Sequence, residues 1–87
     1  MKPLLPLTLA LALAPFAALA LPAVGDVVGT TPETATAALE AAGCKVTAFE
    51  AEDGKIEAKC TDTANNAEME VYIDPKTGAV TEVKSGD

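Results

Sequence analysis

The spacing of apolar side chains changes at Gly43, and this change requires a fold that contains both helix and sheet. Before Gly43, apolar residues recur at the helical spacing i, i+3, i+4 and i+7, namely Ala35, Ala38, Leu39 and Ala42. After Gly43, apolar and polar residues alternate, as in strands that bury one face. The sequence therefore predicts one helix followed by a sheet.

The predicted helix has a start signal and a stop signal. Thr31 is a suitable N-cap, Pro32 suits the first helical position, and Glu33 complements the positive end of the helix. Gly43 can adopt the left-handed conformation that ends a helix. Because the apolar face is mostly alanine, the helix is suited to close packing on a sheet.

Three alternating segments follow, separated by turns at residues 52–55 and 64–67. If residues 65–66 form a two-residue hairpin loop, Ala58 lies opposite Ile73 and Cys60 lies opposite Val71. If Cys44 lies opposite Cys60, all three strands share one apolar face, with the helix as its cover. The residues expected on that inner face are Cys44, Val46, Ala48, Ile56, Ala58, Cys60, Met69, Val71 and Ile73.

A fourth strand at residues 79–84 fits the alternation less well. Val80 and Val83 have opposite parity, so the strand requires either a bulge near Gly78 or a frayed edge. Both alternatives remain open. The predicted fold is α+β, with one N-terminal helix packed on one face of a three- to four-stranded antiparallel meander sheet.

The N-terminal residues resemble an export signal. Lys2 precedes an apolar run from Leu4 to Ala14, and a small-residue site ends at Ala20. We expect a signal peptide at 1–20, a lead-in segment at 21–30 and the folded domain at 31–85. The alternative, an uncleaved membrane anchor, is disfavoured by the prolines in the apolar run. The expected location is periplasmic or secreted.

The 67 residues that remain after signal cleavage form a small, acidic chain. They carry 5 lysines and 13 acids, a net charge of −8, because Lys2 is removed and every acid is kept. Such a surface repels phosphate backbones and anionic lipid, so we expect no nucleic-acid partner and no membrane binding after cleavage. The acidity serves either solubility or the attraction of a basic partner.

Cys44 and Cys60 are the two cysteines of the chain. Export places them where disulfides persist, and so small a domain benefits from a covalent link. A metal site is the alternative, but two thiols without histidine do not complete a zinc site. We therefore predict a Cys44–Cys60 disulfide between adjacent antiparallel strands.

The residue types argue against catalysis. The chain has no histidine and no arginine, and Ser85, in the C-terminal tail, is its one serine. Triads of the Ser-His-Asp or Cys-His type are therefore impossible. Glu68 and Glu70 share the predicted outer face and are expected to be solvated. We expect no enzyme, no cofactor and no metal.

Phe49 and Tyr72 are the aromatic residues outside the signal peptide. Strand alternation places both on the outer face, where exposed aromatics among charges can anchor a partner. Alternatively, a bulge near Glu50 turns Phe49 inward, or the lead-in segment covers it. Phe49 and Tyr72 are the candidate partner-binding residues.

The hairpin EVYIDPKTGAVTEV resembles the PepSY domain, a small module of exported and membrane-attached bacterial proteins. The resemblance extends over most of residues 21–87: a helix ending in glycine, paired strands with an Asp-Gly turn, and this hairpin. It implies that Asp74, Pro75 and Gly78 form a turn and are not reactive groups.

PepSY domains occur in propeptides of secreted metallopeptidases, and free-standing copies are proposed to modulate envelope peptidases. The resemblance therefore implies a binding module that inhibits or modulates a peptidase in the periplasm, with a protein or peptide partner. No peptidase segment follows the hairpin in this sequence, so we expect an inhibitor, a modulator or a general binding module and not an attached propeptide. The alternative is an envelope structural or stress-type protein without a specific peptidase target. The oligomeric state does not follow from the sequence.

Overall fold

The computed structural model describes residues 21–85, so the predicted signal peptide at residues 1–20 lies outside the described residues. One antiparallel sheet has the strand order β1-β2-β3-β4. The predicted α+β class, with one helix and an antiparallel sheet, is confirmed, and the sheet has four strands. The elements are α1 (Pro32–Ala41), β1 (Cys44–Glu52), β2 (Lys55–Asp62), β3 (Ala67–Ile73) and β4 (Val80–Ser85).

Helix α1 begins with a capping box. The backbone N–H of Thr34 donates to Thr31 Oγ1 at 3.1 Å, and the N–H of Thr31 donates to Thr34 Oγ1 at 3.3 Å. Gly43 follows the helix at φ +89°, where glycine avoids the strain of a side chain. Ala35 and Leu39 are buried, and both lie on the apolar face that the helical spacing predicts.

The hydrophobic core contains residues of the helix and of all four strands. The Cys44–Cys60 disulfide lies within it and joins β1 to β2, with 5.3 Å between the two Cα atoms. The predicted disulfide is therefore present. The buried core residues are Val28, Ala35, Leu39, Cys44, Ala58, Cys60, Val71, Ile73 and Val80.

The pairing of β2 with β3 differs from the predicted register by two residues. Ile73 lies opposite Ile56, not Ala58. The loop is longer than two residues because Asp62 organises it: Ala64 N–H donates to Asp62 Oδ1 at 2.9 Å, and Asn66 N–H donates to the Asp62 carbonyl at 2.7 Å. A shift of two preserves which side chains face the core, so the predicted inner faces of β2 and β3 hold.

A bulge at Thr47 corrects the prediction for β1. Cys44 lies opposite Asp62 and not opposite Cys60, and the register then slips by one residue between Val46 and Ala48. One extra residue reverses the alternation beyond it. Ala48 is consequently exposed, and Phe49 packs against the core. The inward alternative for Phe49 is the correct one, although the bulge lies at Thr47 and not near Glu50.

The fourth strand also contains a bulge. Tyr72 lies opposite Glu82, whereas the next residue, Ile73, lies opposite Val80, so Thr81 is the extra residue of β4. The bulge brings Val80 and Val83 to the core side despite their opposite parity. Of the two predicted alternatives, the bulge is present, and it lies three residues beyond Gly78.

The lead-in segment, residues 21–30, pairs with the start of β4. The N–H of Val28 donates to the carbonyl of Gly78 at 2.8 Å, and the N–H of Gly25 donates to the carbonyl of Val80 at 2.9 Å. Val28 is buried in the core. The segment therefore occupies the sheet edge at the beginning of β4.

The turn between β3 and β4 is held by Asp74. Its carboxylate accepts the N–H of Lys76 at 2.8 Å, and its carbonyl accepts the N–H of Gly78 at 2.7 Å. Gly78 has a φ of +76°, and a Cβ built there would lie 2.7 Å from the carbonyl carbon of Gly29. Glycine is required here both for the turn and for the close approach of the lead-in segment.

Candidate functional site

The outer face of the sheet, the side that points away from the core, carries a row of four directly opposed side chains. Glu50 of β1 lies opposite Glu57 of β2, Glu57 lies opposite Tyr72 of β3, and Tyr72 lies opposite Glu82 of β4. We call these four residues the central row. The adjacent row, formed in the same way, consists of Ala48, Lys59, Glu70 and Lys84.

Glu57 is the unexpected member of the central row. An acid on a face that points away from the core is expected to be solvated, yet Glu57 is only 4% exposed. Its neighbours directly across the strands are the long side chains of Glu50 and Tyr72, which are close enough to cover it. Buried carboxylates are rare in proteins unless they are paired.

The hydrogen-bond donors near Glu57 are directed to other acids. Lys59 Nζ lies 3.3 Å from Glu50 Oε2, and Tyr72 Oη donates to Glu70 Oε1 at 3.5 Å. The side chain within hydrogen-bonding reach of Glu57 is that of Glu52, a second acid. Within residues 21–85, therefore, no lysine forms an ion pair with Glu57.

This environment raises the pKa of Glu57 above its ordinary value of 4.5. Burial is the largest cause, followed by the hydrogen bond with Glu52, and the negative charges of Glu70, Glu52 and Glu50 add to it. The pKa of Tyr72 is raised by burial first and then by the charge of Glu57. The pKa of Lys59 is raised chiefly by its hydrogen bond and ion pair with Glu50.

Substitution of Glu57 tests this description of the face. The folded protein binds the Glu57 proton more tightly than the unfolded chain does, because the pKa is raised on folding. The contribution of Glu57 to stability is therefore present below pH 4.5 and is lost as the pH rises through the raised pKa. We expect Glu57→Gln to unfold at higher urea concentration than wild type at neutral pH, and the gain to vanish at acidic pH.

The measurement is urea unfolding followed by circular dichroism over a series of pH values. Glu40→Gln is the matched control, because Glu40 is an exposed glutamate on α1. We expect it to change the free energy of unfolding by less than about 0.5 kcal/mol at every pH. A Glu57→Gln variant that behaves like Glu40→Gln would show that Glu57 is solvated.

Tyr72 is half-buried beside Glu57, and its ring makes a cation–π contact with Lys84. Lys84 Nζ lies 5.4 Å from the ring centroid, within the distance at which a cation is attracted to an aromatic face. A shallow depression adjoins the ring on the side of the β1–β2 turn. It is lined by Glu52, Asp53, Lys55, Tyr72, Glu82 and Lys84.

Phe49 lies on the other side of the sheet, so the structure does not bring the two aromatic candidates together. It lines an apolar pocket of about 160 Å³ near the N-terminal end of α1. At about 1.5 Å per residue the helix is roughly half as long as β1, so it leaves this end of the inner face partly uncovered. The lining residues are Gly29, Thr30, Thr31, Pro32, Ala35, Phe49, Glu50, Ala51, Ile56, Ile73 and Pro75.

Residues 21–85 contain neither a metal-ligand group nor a membrane-spanning helix. No group of three or more acidic, cysteine or histidine side chains in that range is arranged to hold a metal ion. In the same range, no helix has the length and apolar character to cross a membrane.

Sequence reasoning did not identify Glu57 as a site residue. The alternation of β2 does place it on the outer face together with Lys55 and Lys59. Its surroundings depend on the registers of β1 and β3, and both registers differ from the predicted ones. In the observed registers, Glu50 and Tyr72 lie directly on either side of Glu57. Two long side chains flanking an acid in this way are the pattern that would have indicated an enclosed carboxyl.

Within residues 21–85, the fold and the outer face define a small α+β domain with one helix, one disulfide and an acidic sheet face. The sequence profile of the family described as peptidase propeptide and YPEB domain matches residues 4–84. The chain therefore belongs to this PepSY family, as the hairpin motif predicts. No curated protein and no solved structure matches the chain.

Proposed function

We propose that this protein is an exported, non-catalytic PepSY module that binds a protein or peptide partner and modulates a peptidase in the periplasm. The observation that supports this proposal is the match of nearly the whole chain to the family described as peptidase propeptide and YPEB domain. In this proposal the disulfide and the turn of Asp74, Pro75 and Gly78 maintain the fold, and no metal or cofactor takes part.

The outer face is the proposed contact surface. Tyr72 provides the large apolar contact there, and the surrounding acids provide charge. Tyrosine among polar groups is typical of the residues that contribute most to binding at protein interfaces. Phe49 is assigned a smaller part, because it packs toward the core and can reach a partner only through the inner pocket.

An open strand edge offers a second contact in this proposal. β1 is the border strand of the sheet on one side, whereas the lead-in segment pairs with the start of β4 on the other. An extended peptide can add to such an edge through backbone hydrogen bonds. A partner that reaches β1 from the outer face would contact Glu50 and Glu52 on the same strand.

We propose that the protein is exported and cleaved after Ala20, so that the periplasmic form begins at Leu21. In this form the lead-in segment covers residues 21–30 and the PepSY domain covers residues 31–85. Intact-mass measurement of exported protein tests this proposal. A mass that retains residues 1–20 would contradict it.

Affinity capture tests the function. We expect the immobilised protein, beginning at Leu21, to recover a peptidase from periplasmic extract and to change the rate of that peptidase on a fluorogenic peptide. Recovery of no peptidase, or recovery without any change in peptidase rate, would contradict the proposal and favour a structural or stress-type role in the envelope.

A further inference from the structure

The carboxyl of Glu57 is buried without a cation partner in a protein that places lysines on either side of it. Lys55 and Lys59 lie two residues before and after Glu57 on β2, and so share its face. Lys59 is engaged with Glu50 at 3.3 Å, and Lys55 forms no ion pair within residues 21–85. The buried acid therefore lacks the partner that such a group normally has.

Acids outnumber cations around Glu57. The charged and titratable groups that face it come from all four strands: Glu50 and Glu52 of β1, Lys55 and Lys59 of β2, Glu70 and Tyr72 of β3, and Glu82 and Lys84 of β4. Together with Glu57, these groups include five carboxylates and three lysines. The face is therefore complementary to an added positive group.

We propose that the outer face binds an arginine side chain of the partner, held over Glu57 between the carboxylates of β1 and the ring of Tyr72. This inference rests on the proposed function and names the chemistry by which the same face recognises its partner. The occupant is one guanidinium group presented by a partner protein or peptide.

The arrangement fits a guanidinium better than a metal ion. Within residues 21–85, the carboxylates do not converge as a metal-ligand group. A guanidinium is planar and carries five donors, so it can bond separated carboxylates and stack on an aromatic ring at the same time. Lys84 over the Tyr72 ring shows that this ring already attracts a cation within the protein.

Bound arginine also offsets the cost of burying the charged carboxylate of Glu57. A positive group next to Glu57 favours the charged carboxylate and so lowers the raised pKa of Glu57, which favours release of its proton on binding. Affinity should consequently fall as the pH is lowered into the range where Glu57 is protonated. The pH dependence should be smaller in Glu57→Gln, which has no proton to release.

The test uses the peptide acetyl-Gly-Arg-Gly-amide, added to the ¹⁵N-labelled protein that begins at Leu21, with amide chemical shifts as the readout. The uncharged control peptide carries citrulline in place of arginine. We expect saturable shifts at Glu50, Glu57 and Tyr72 with the arginine peptide only. Glu57→Gln should weaken this binding by about fivefold or more, because it removes the negative charge over which the guanidinium lies. Glu40→Gln should titrate like wild type.

Circular dichroism checks that each variant is folded, and Glu52→Gln serves as a second variant because Glu52 is one of the acids that raise the pKa of Glu57. Equal shifts with the citrulline peptide, or equal affinity of wild type and both variants, would overturn the inference. If a peptidase is captured but the arginine peptide does not bind, the inference fails and the proposed function stands. If the arginine peptide binds but no peptidase is captured, the proposed function fails and the cation site stands.

Discussion

Replacing Cys44 and Cys60 together by alanine is expected to lower the free energy of unfolding by about 3 kcal/mol. The disulfide joins residues 16 apart in sequence, and in the chain-entropy model a loop of that length restricts the unfolded chain by this amount. Small domains have total stabilities of about 5–15 kcal/mol, so the loss is a large fraction of the whole. Urea unfolding of the oxidised wild type and of the double variant measures it.

Reduction provides the matched comparison for this prediction. Wild type unfolded and refolded in reductant should lose nearly the same stability, because the loop constraint is removed while both sulfur atoms remain. Reductant should have no effect on the double variant. A stability that is unchanged by either treatment would show that the Cys44–Cys60 bond contributes little to the fold.

Gly78→Ala is expected to lower the free energy of unfolding by about 3 kcal/mol. Part of the loss is the positive φ of +76°, at which an L-residue is strained. The rest is a clash, because the added Cβ would lie 2.7–2.9 Å from the backbone of Gly29. The lead-in segment must then move away from β4, and the burial of Val28 is lost with it.

Gly54→Ala separates the two causes. Gly54 also has a φ of +76°, but no atom lies within 4 Å of a Cβ built there. We expect it to lose about 1 kcal/mol, the cost of the backbone conformation alone. Unfolding followed by circular dichroism measures both variants. Equal losses at Gly54 and Gly78 would mean that the lead-in segment does not pack closely against the turn.

The parts of the fold that depend on side-chain periodicity could be predicted from the sequence. Thr31, Leu39 and Gly43 identify the helix, because capping and a helical stripe are local properties. The inner faces of β2 and β3 were predicted correctly although their register was wrong by two residues. The strand repeat is two residues, so such a shift moves the pairing without exchanging the faces.

The bulges could not be located from the sequence. A bulge is set by the competition between neighbouring strands, and Thr47 has no local property that marks it as the extra residue of β1. The consequence for the site was large, because the bulge turned Phe49 inward and left Tyr72 as the aromatic residue of the outer face. The parity conflict of Val80 and Val83 indicated either a bulge or a frayed edge in β4, and it did not distinguish the two or place the bulge at Thr81.

The candidate site depended on contacts between strands and was predicted only in part. Tyr72 was assigned to the outer face because its position in β3 follows from alternation alone. The burial of Glu57 depends on the residues opposite it in β1 and β3. The predicted registers there were wrong by three and two residues, so both neighbours were wrong. Alternation therefore predicts which face a residue occupies, whereas the electrostatics of that face require the correct register.

The most direct test of the outer face as a binding surface is calorimetric titration of the captured peptidase with wild type, Tyr72→Ala and Glu33→Gln. We expect Tyr72→Ala to bind at least about 1 kcal/mol more weakly while circular dichroism shows that its fold is kept. Glu33→Gln changes an exposed acid in the first turn of α1, away from the outer face, and should bind like wild type. Equal affinities of Tyr72→Ala and wild type would contradict the assignment of the outer face as the binding surface.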